Sequence, residues 1–141
     1  MGLFQGMLGN LQEVTGDELA QKYAAYLIAG ESIQTGFKLV RDTLVITDLR
    51  IISFDKEGAT GKKWRVRSIH LDSICEVSCE TAGFGLDDCE LTISYIKSPY
   101  RRSNEIMVVS KTYEFPKKFN VARLYVQFEA IAQENLRRLN E

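Results

Sequence analysis

The chain has little histidine, few cysteines and no long apolar run. His70 is the only histidine, so a relay or metal site that needs two imidazoles is excluded within this chain. A membrane-spanning helix needs about 18 consecutive apolar residues, and the sequence has no such stretch. The first ten residues lack the charged and apolar regions of a secretory signal, so we expect a cytoplasmic protein.

The chain also lacks an excess of either charge. It has 18 Lys and Arg residues against 19 Asp and Glu residues, for a net charge of -1. Nucleic-acid binding draws on a clear surplus of cations, so no nucleic-acid partner is expected. A length of 141 residues predicts one domain that can bury a substantial core.

The cysteine pattern does not indicate a disulfide framework. Cys75 and Cys79 lie on one predicted strand, about 13 Å apart, whereas a disulfide needs less than about 7 Å between Cα atoms. If both apolar faces of the following hairpin point inward, Cys79 pairs with either Cys89 or Leu91. We expect three buried, reduced thiols.

Residues 1–29 are predicted to form an N-terminal helical arm. Its first part has apolar residues at helical spacing and no charge before Glu13. A stronger helix is predicted to begin near Thr15 and to stop at Gly30. The apolar stripe of the first part consists of Leu3, Phe4, Met7, Leu8 and Leu11. Such a stripe must be buried, and its lack of cations favours a protein surface over a membrane.

Residues 30–141 are predicted to form one domain of short strands followed by a helix. From Glu31 onward, apolar residues recur at every second position, and β-branched and aromatic residues dominate. The last helix is predicted to begin after Asn120 and to end near Leu139. The expected strands are 33–40, 43–47, 50–54, one from Lys63, 75–80, one from Cys89, and 105–109, with a helical turn at 71–74. The predicted fold class is mainly β with α: a curved antiparallel sheet or barrel of seven strands, capped by the C-terminal helix.

Several joined segments resemble the bacterial pleckstrin-homology (PH) domain family. The segments are GESIQTGFKLVRD, TLVITDLRIISFD, GATGKK, SIHLDSI and CETAGFGLDDCELTI, and MGLFQGMLGN is similar to the family's start. The resemblance implies a seven-stranded PH fold and a protein that assembles into a symmetric ring. Because that family has no established enzymatic activity and no agreed ligand, the resemblance implies neither for this chain.

The residues themselves offer little for catalysis or metal binding. Ser68, Ser73 and Asp72 are sequence neighbours of His70, whereas a catalytic triad normally draws on distant segments. Asp87 and Asp88 lie in an acidic loop whose spacing matches no known calcium motif. We therefore expect no enzyme, no catalytic residue, no cofactor and no metal site.

Two function hypotheses remain. The favoured one is a self-assembling interaction module, a cyclic homo-oligomer that presents a surface to an unknown protein partner. Its candidate oligomer interface is Leu3, Phe4, Met7, Leu8, Asp87 and Asp88. The alternative is a peripheral binder of anionic membrane lipid, through a basic strand face made by Lys62, Lys63, Arg65 and Arg67.

Deletion of residues 1–12 tests the role of the apolar arm. The deletion is expected to lower the oligomeric state, because the stripe is then no longer available for burial against a neighbouring subunit. Native mass spectrometry of the full-length and truncated proteins makes the comparison. An unchanged native mass would contradict the assembly role of the arm.

Overall fold

The computed structural model describes residues 21–39, 42–57, 63–82 and 88–141. In these residues the strands are β1 (Ile33–Lys38), β2 (Thr43–Thr47), β3 (Arg50–Glu57), β4 (Lys63–His70), β5 (Ile74–Glu80), β6 (Cys89–Ile96) and β7 (Val108–Phe115). One sheet has the order β1-β2-β3-β4 and the other the order β5-β6-β7. A helix covers Val121–Leu139, and a short 3-10 turn covers Leu71–Ser73. The predicted fold class, mainly β with seven antiparallel strands and a C-terminal helix, is confirmed.

The chain divides into two compact units, Met1–Ile69 and His70–Glu141. In the first unit, β2 and the middle of β3 are buried on both faces, as their continuous apolar runs require. On one of these faces Tyr23 packs against Phe54, with ring centroids 4.4 Å apart, and joins Val45 and Ile52 in one cluster. The segment before β1 is therefore part of the core of this unit.

That segment is less helical than the sequence predicts. Residues 21–23 are helical, Ala24–Tyr26 form a 3-10 turn, and Leu27 is already extended. The predicted helix thus ends before Gly30, which has a φ of +83° in a turn. Because the helix ends early, Leu27 can pack against the cluster that contains Tyr23 and Phe54. The same early end allows Glu31 to reach Arg50 of β3.

A buried ion pair between Glu31 and Arg50 joins this segment to the sheet. The Glu31 side chain is fully buried and that of Arg50 is 14% exposed. One carboxylate oxygen of Glu31 accepts from Arg50 Nη2 at 2.9 Å and from Ile28 N at 3.1 Å. The other accepts from Arg50 Nε at 2.9 Å and from Thr47 Oγ1 at 2.6 Å. Both oxygens are satisfied, which is the condition for keeping a carboxylate charged in a core.

The guanidinium of Arg50 connects further parts of the same unit. Its Nη1 donates to Ser68 Oγ of β4 at 2.7 Å, and its Nη2 also donates to the carbonyl of Tyr26. Thr47 Oγ1 accepts from the amides of Leu49 and Arg50, which fixes the turn between β2 and β3. One side chain therefore connects the segment before β1, the β2–β3 turn and β4.

In the second unit, the inward positions of β5 and β6 follow the predicted alternation. Val77, Leu91 and Ile93 are buried, and Cys79 lies opposite Leu91, which is the second of the two predicted registers. All three cysteines are free, but only Cys89 is fully buried; Cys75 and Cys79 are partly exposed, so the prediction of three buried thiols is wrong for these two. Burial raises the pKa of the Cys75 and Cys79 thiols, so both are held in the less reactive protonated form.

The last strand lies further along the chain than predicted. The sequence predicts a strand over 105–109, whereas β7 is Val108–Phe115. Its inward positions are Val109, Lys111, Tyr113 and Phe115, in register with Tyr95, Ile93, Leu91 and Cys89 of β6. The charged Lys111 at an inward position interrupts the alternation of apolar and polar residues, so the alternation does not predict this strand.

The C-terminal helix begins and ends where the sequence predicts. Asn120 Oδ1 accepts a hydrogen bond from Arg123 N at 3.3 Å, and Leu124, Phe128 and Ala132 are buried. Asn135 lies on the same buried face, and its amide nitrogen donates to the carbonyls of Leu71 at 2.7 Å and Ile74 at 2.9 Å. This polar contact, which the sequence did not reveal, joins the helix to the start of β5.

Replacing Asn135 by Ala is expected to destabilise the protein by about 1–3 kcal/mol, because the two carbonyls lose their common donor. Chemical denaturation measures the free energy of unfolding. Gln133→Ala is the matched control: Gln133 is exposed on the same helix, and its loss is expected to change stability by less than about 0.5 kcal/mol. Equal effects of the two substitutions would show that the Asn135 contacts contribute nothing.

The Glu31–Arg50 pair predicts a loss of stability in acid. The pKa of Glu31 is lowered from 4.5 to about 2, chiefly by hydrogen bonding to Arg50 and also by hydrogen bonds from Thr47 and Ile28, against the opposing effect of burial. The contribution of Glu31 is therefore complete above pH 4.5 and is lost as the pH falls towards about 2.

This dependence is measured by denaturation at several pH values. Glu31→Gln leaves Arg50 charged and buried without its partner, so the free energy of unfolding is expected to fall by about 3–5 kcal/mol at neutral pH. In this variant the free energy of unfolding is also expected to depend less on pH below 4.5. If the stability of the variant falls as steeply in acid as that of the wild type, other carboxylates cause the loss of stability.

Candidate interaction surfaces

The first candidate surface is the beginning of β4, the last strand in the order of its sheet. Lys63, Trp64, Arg65 and Val66 are all exposed, although successive residues of a strand point to opposite faces. Both faces of this half-strand therefore meet solvent. Trp64 is 43% and Val66 39% exposed, whereas Ile69 in the second half of the strand is buried.

The charges on this half-strand are partly compensated. Arg65 Nε lies 2.9 Å from Glu57 Oε1, and the Lys56 ammonium lies 5.4 Å from the centre of the Trp64 ring. Arg67 is only partly exposed, and Lys62 lies outside the described residues. Of the predicted basic face, the structure thus places Lys63, Arg65 and Arg67 on one strand, with Arg65 already paired.

The predicted oligomer interface lies mostly where the structure gives no description. Leu3, Phe4, Met7, Leu8 and Asp87 are outside the described residues. Asp88 is exposed immediately before β6. The interface assigned to these residues stays a prediction.

The second candidate surface was missed by the sequence analysis. It consists of the connection between β6 and β7 and the first residue of β7, residues 97–108, and we call it the β6–β7 tip. Four of its apolar side chains are exposed: Tyr100 by 79%, Ile106 by 48%, Met107 by 59% and Val108 by 53%. The strand predicted over 105–109 conceals this surface, because it assigns Ile106 and Val108 to a sheet. The signal in the sequence was the joining of a cationic loop, KSPYRRSN, to a run of apolar residues.

Hydrogen bonds hold the β6–β7 tip in place. Lys97 N donates to the carbonyl of Met107 at 2.8 Å, and Met107 N donates to Ser98 Oγ at 2.9 Å. Arg101 donates to the carbonyl of Ser98, and its guanidinium lies 3.6 Å from Asp72. The backbone bond between residues 97 and 107 extends the β6–β7 ladder beyond its last strand pair.

A third surface is the polar face of the β5-β6-β7 sheet. Thr92 bonds Thr112 at 2.9 Å, and Ser94 bonds Ser110 at 2.8 Å. Glu80, Glu90 and Glu114 lie opposite one another on the three strands. In the part of the chain that the structure describes, however, no three His, Cys, Asp or Glu residues are grouped so as to hold a metal ion.

The residues around His70 are engaged in structural contacts. Ser73 Oγ donates to the carbonyl of His70 at 2.7 Å, and Asp72 faces Arg101. Ser68 Oγ accepts from Arg50. Each of these hydroxyl and carboxylate groups therefore contacts a neighbouring residue of the fold.

Comparison with known proteins decides the family. A profile described as the bacterial PH domain matches residues 2–132. The chain belongs to the bacterial PH domain family. The uncharacterized protein YjqA of Bacillus subtilis (strain 168) is 46% identical over 88 residues, which cover 62% of this chain and 70% of that protein.

Solved PH-domain structures have the same fold. A pleckstrin-homology domain from Shewanella amazonensis SB2B is 31% identical, with a TM-score of 0.65 over 93% of this chain and 98% of that one. A protein with a pleckstrin-homology domain from Shewanella loihica PV-4 is 30% identical, with a TM-score of 0.63 over 88% and 98% of the two chains. A PH-domain protein from Exiguobacterium sibiricum 255-15, at 23% identity and a TM-score of 0.62 over 86% and 61%, supports the fold alone.

The PH assignment makes this chain a binding module in the general sense, since PH domains typically mediate interactions and are not enzymes. Both β4 and the β6–β7 tip lie within the part matched by the family profile. Within the described ranges, no helix has the length and hydropathy that a membrane crossing requires.

Proposed function

We propose that this PH domain is a non-enzymatic interaction module that assembles with copies of itself into a closed ring and presents a surface to a protein partner. The observation that carries the proposal is the exposure of Trp64 and Val66 at the beginning of β4. These apolar side chains lie at the end of a sheet, where a strand from another chain can be accommodated.

The composition of this half-strand favours a protein contact. Tryptophan and arginine are the residues most enriched among those that dominate the energy of protein interfaces, and Trp64 and Arg65 are neighbours here. The Glu57–Arg65 pair and the Lys56–Trp64 contact hold these side chains before a partner arrives, which reduces the entropy lost on association. A contact between β4 of one copy and a different surface of the next is heterologous, and such contacts form a ring when the rotation from one copy to the next closes.

Binding of anionic lipid by Lys62, Lys63, Arg65 and Arg67 is the alternative. The exposed Lys63 beside Trp64 supports it, because cations and an aromatic ring together suit a lipid headgroup region. The pairing of Arg65 with Glu57 reduces the charge available to lipid, and for this reason we favour the protein contact.

The double substitution Trp64→Thr/Val66→Thr tests the proposal. Threonine retains strand propensity but removes the exposed apolar surface, so the native mass is expected to fall to that of a smaller species. Light scattering over a range of protein concentrations, supported by native mass spectrometry, measures the change. Val126→Ser is the matched control, since Val126 is an exposed apolar residue too but lies on the C-terminal helix.

A wild-type protein that remains monomeric at every concentration would rule out self-assembly. An assembly whose mass is the same in the double variant would place the contact elsewhere. Loss of vesicle binding in Lys63→Gln, without a change of mass, would favour the lipid alternative.

A further inference from the structure

We propose that the polar face of the β5-β6-β7 sheet in one copy of the protein binds the cationic face of β4 in a neighbouring copy. The cationic face consists of Lys63, Arg65 and Arg67, at alternate positions of the strand. The inference rests on the self-assembly proposed above and names a surface that β4 meets. Trp64 and Val66 point to the other side of β4, so they belong to a separate part of the assembly contact.

The register of the three strands assembles the polar sheet face. Positions of β6 that point away from the buried core lie opposite matching positions of β5 and β7. Glu76, Glu80 and Glu114 are exposed, and Glu90 is partly exposed. The rows of this face are Glu76–Ser94–Ser110, Ser78–Thr92–Thr112 and Glu80–Glu90–Glu114, with carboxylates as their charged groups.

The negative charge of this face is unpaired within the described part of the chain. Like charges directly opposite each other on neighbouring strands are unfavourable, and Glu90 lies between Glu80 and Glu114. A cationic partner would relieve this repulsion. The ion pairs that the described residues form involve other carboxylates: Glu31, Glu57, Asp72, Glu134 and Glu141.

The hydroxyl groups of the face leave room for a strand to lie on it. Thr92 bonds Thr112 and Ser94 bonds Ser110, so these short side chains satisfy one another. The described residues include no group of three ligands that could hold a metal ion. Carboxylates spread on both sides of a row of short side chains therefore suit an extended cationic segment better than a single cation.

The spacing of charges on β4 matches the spacing on the sheet face. Four residues of an extended strand span about 13 Å. Glu76 and Glu80 are four residues apart on β5, and Lys63 and Arg67 are four residues apart on β4. One cation can therefore face Glu76 while the other faces the row of glutamates. Arg65 then lies over the hydroxyl row, where it can keep its pair with Glu57.

Charge complementarity identifies a second copy as the occupant. Residues 55–67 contain five cations and two carboxylates, which gives a local charge of +3 with Glu57, the partner of Arg65, already counted. The whole chain has a net charge of -1, so opposite charges are separated on its surface. Such an arrangement steers two copies together and fixes the register of their contact.

Charge reversal in the full-length protein tests the inference. Glu80→Lys/Glu114→Lys is expected to weaken self-association at least about tenfold, because two cationic surfaces then meet. Lys63→Glu/Arg67→Glu is expected to weaken it to the same extent, because two anionic surfaces then meet. Sedimentation velocity over a range of protein concentrations measures the association, which is also expected to weaken as salt rises.

The combination of all four substitutions in one chain is the decisive variant. Its sheet face is cationic and its β4 is anionic, so the complementary contact returns with the charges exchanged. Self-association is expected to recover to within about threefold of the wild type. A recovery of this kind also shows that the reversed variants fold, which circular dichroism checks separately.

A matched control changes the same number of charges on other surfaces. Glu105→Lys/Glu129→Lys alters the net charge as much as Glu80→Lys/Glu114→Lys does, but Glu105 precedes β7 and Glu129 lies on the C-terminal helix. This control is expected to change self-association by less than about twofold. If a reversed variant fails to fold, Glu80→Gln/Glu114→Gln replaces it and is expected to weaken association in the same direction.

Four results would overturn the inference: association insensitive to salt, association unchanged in both sheet-face variants, an equal loss in the control, or no recovery in the fourfold variant. If Trp64→Thr/Val66→Thr disrupts the assembly while the sheet-face variants leave it intact, this inference fails and the proposed function stands. A wild-type protein that is monomeric at every concentration overturns the proposed function and this inference with it.

Discussion

The first unit of this PH domain depends on the ion pair between Glu31 and Arg50. Burying two charges is costly, and the cost is offset only because both carboxylate oxygens and three nitrogens of the guanidinium have partners. Those partners belong to the segment before β1, to the β2–β3 turn and to β4. The pair therefore fixes the relative positions of three parts of the chain that lie up to 24 residues from Arg50.

The same pair explains why β4 can expose its first half. Ser68 is held by Arg50, and Ile69 is buried beside it, so the second half of the strand is anchored. β4 as a whole is a neighbour of β3 in the sheet, so its place does not depend on burial of its first half. Trp64 and Val66 are thus free to serve an interaction, because the stability of the strand is supplied elsewhere.

Much of this arrangement could be predicted from the sequence because it is encoded locally. A run of β-branched and apolar residues located β2, alternation of apolar and polar residues located β5 and β6, and the cap residue Asn120 located the helix. The register of Cys79 could be narrowed to two partners, but choosing Leu91 required the structure. The family resemblance was also readable, because several short segments occur in the right order.

The features that were missed depend on contacts between distant residues. Glu31 and Arg50 are 19 residues apart, and Asn135 donates to a carbonyl 61 residues away. No short-range pattern of apolar and polar residues predicts either contact. Lys111 obscured β7 because a charge at an inward position imitates the end of a strand. Because the strand is predicted over 105–109, exposed residues of the β6–β7 tip are assigned to a sheet and the tip is not predicted.

The exposed half of β4 and the β6–β7 tip share one structural principle. Each is the far end of a strand or hairpin whose base is fixed by buried residues or by hydrogen bonds, with its apolar side chains left in solvent. Side chains that contribute nothing to the core can change without loss of the fold, whereas the groups that hold the base cannot. The residues that hold this fold are therefore different from those proposed to bind, so the exposed ends can be substituted while the scaffold is kept.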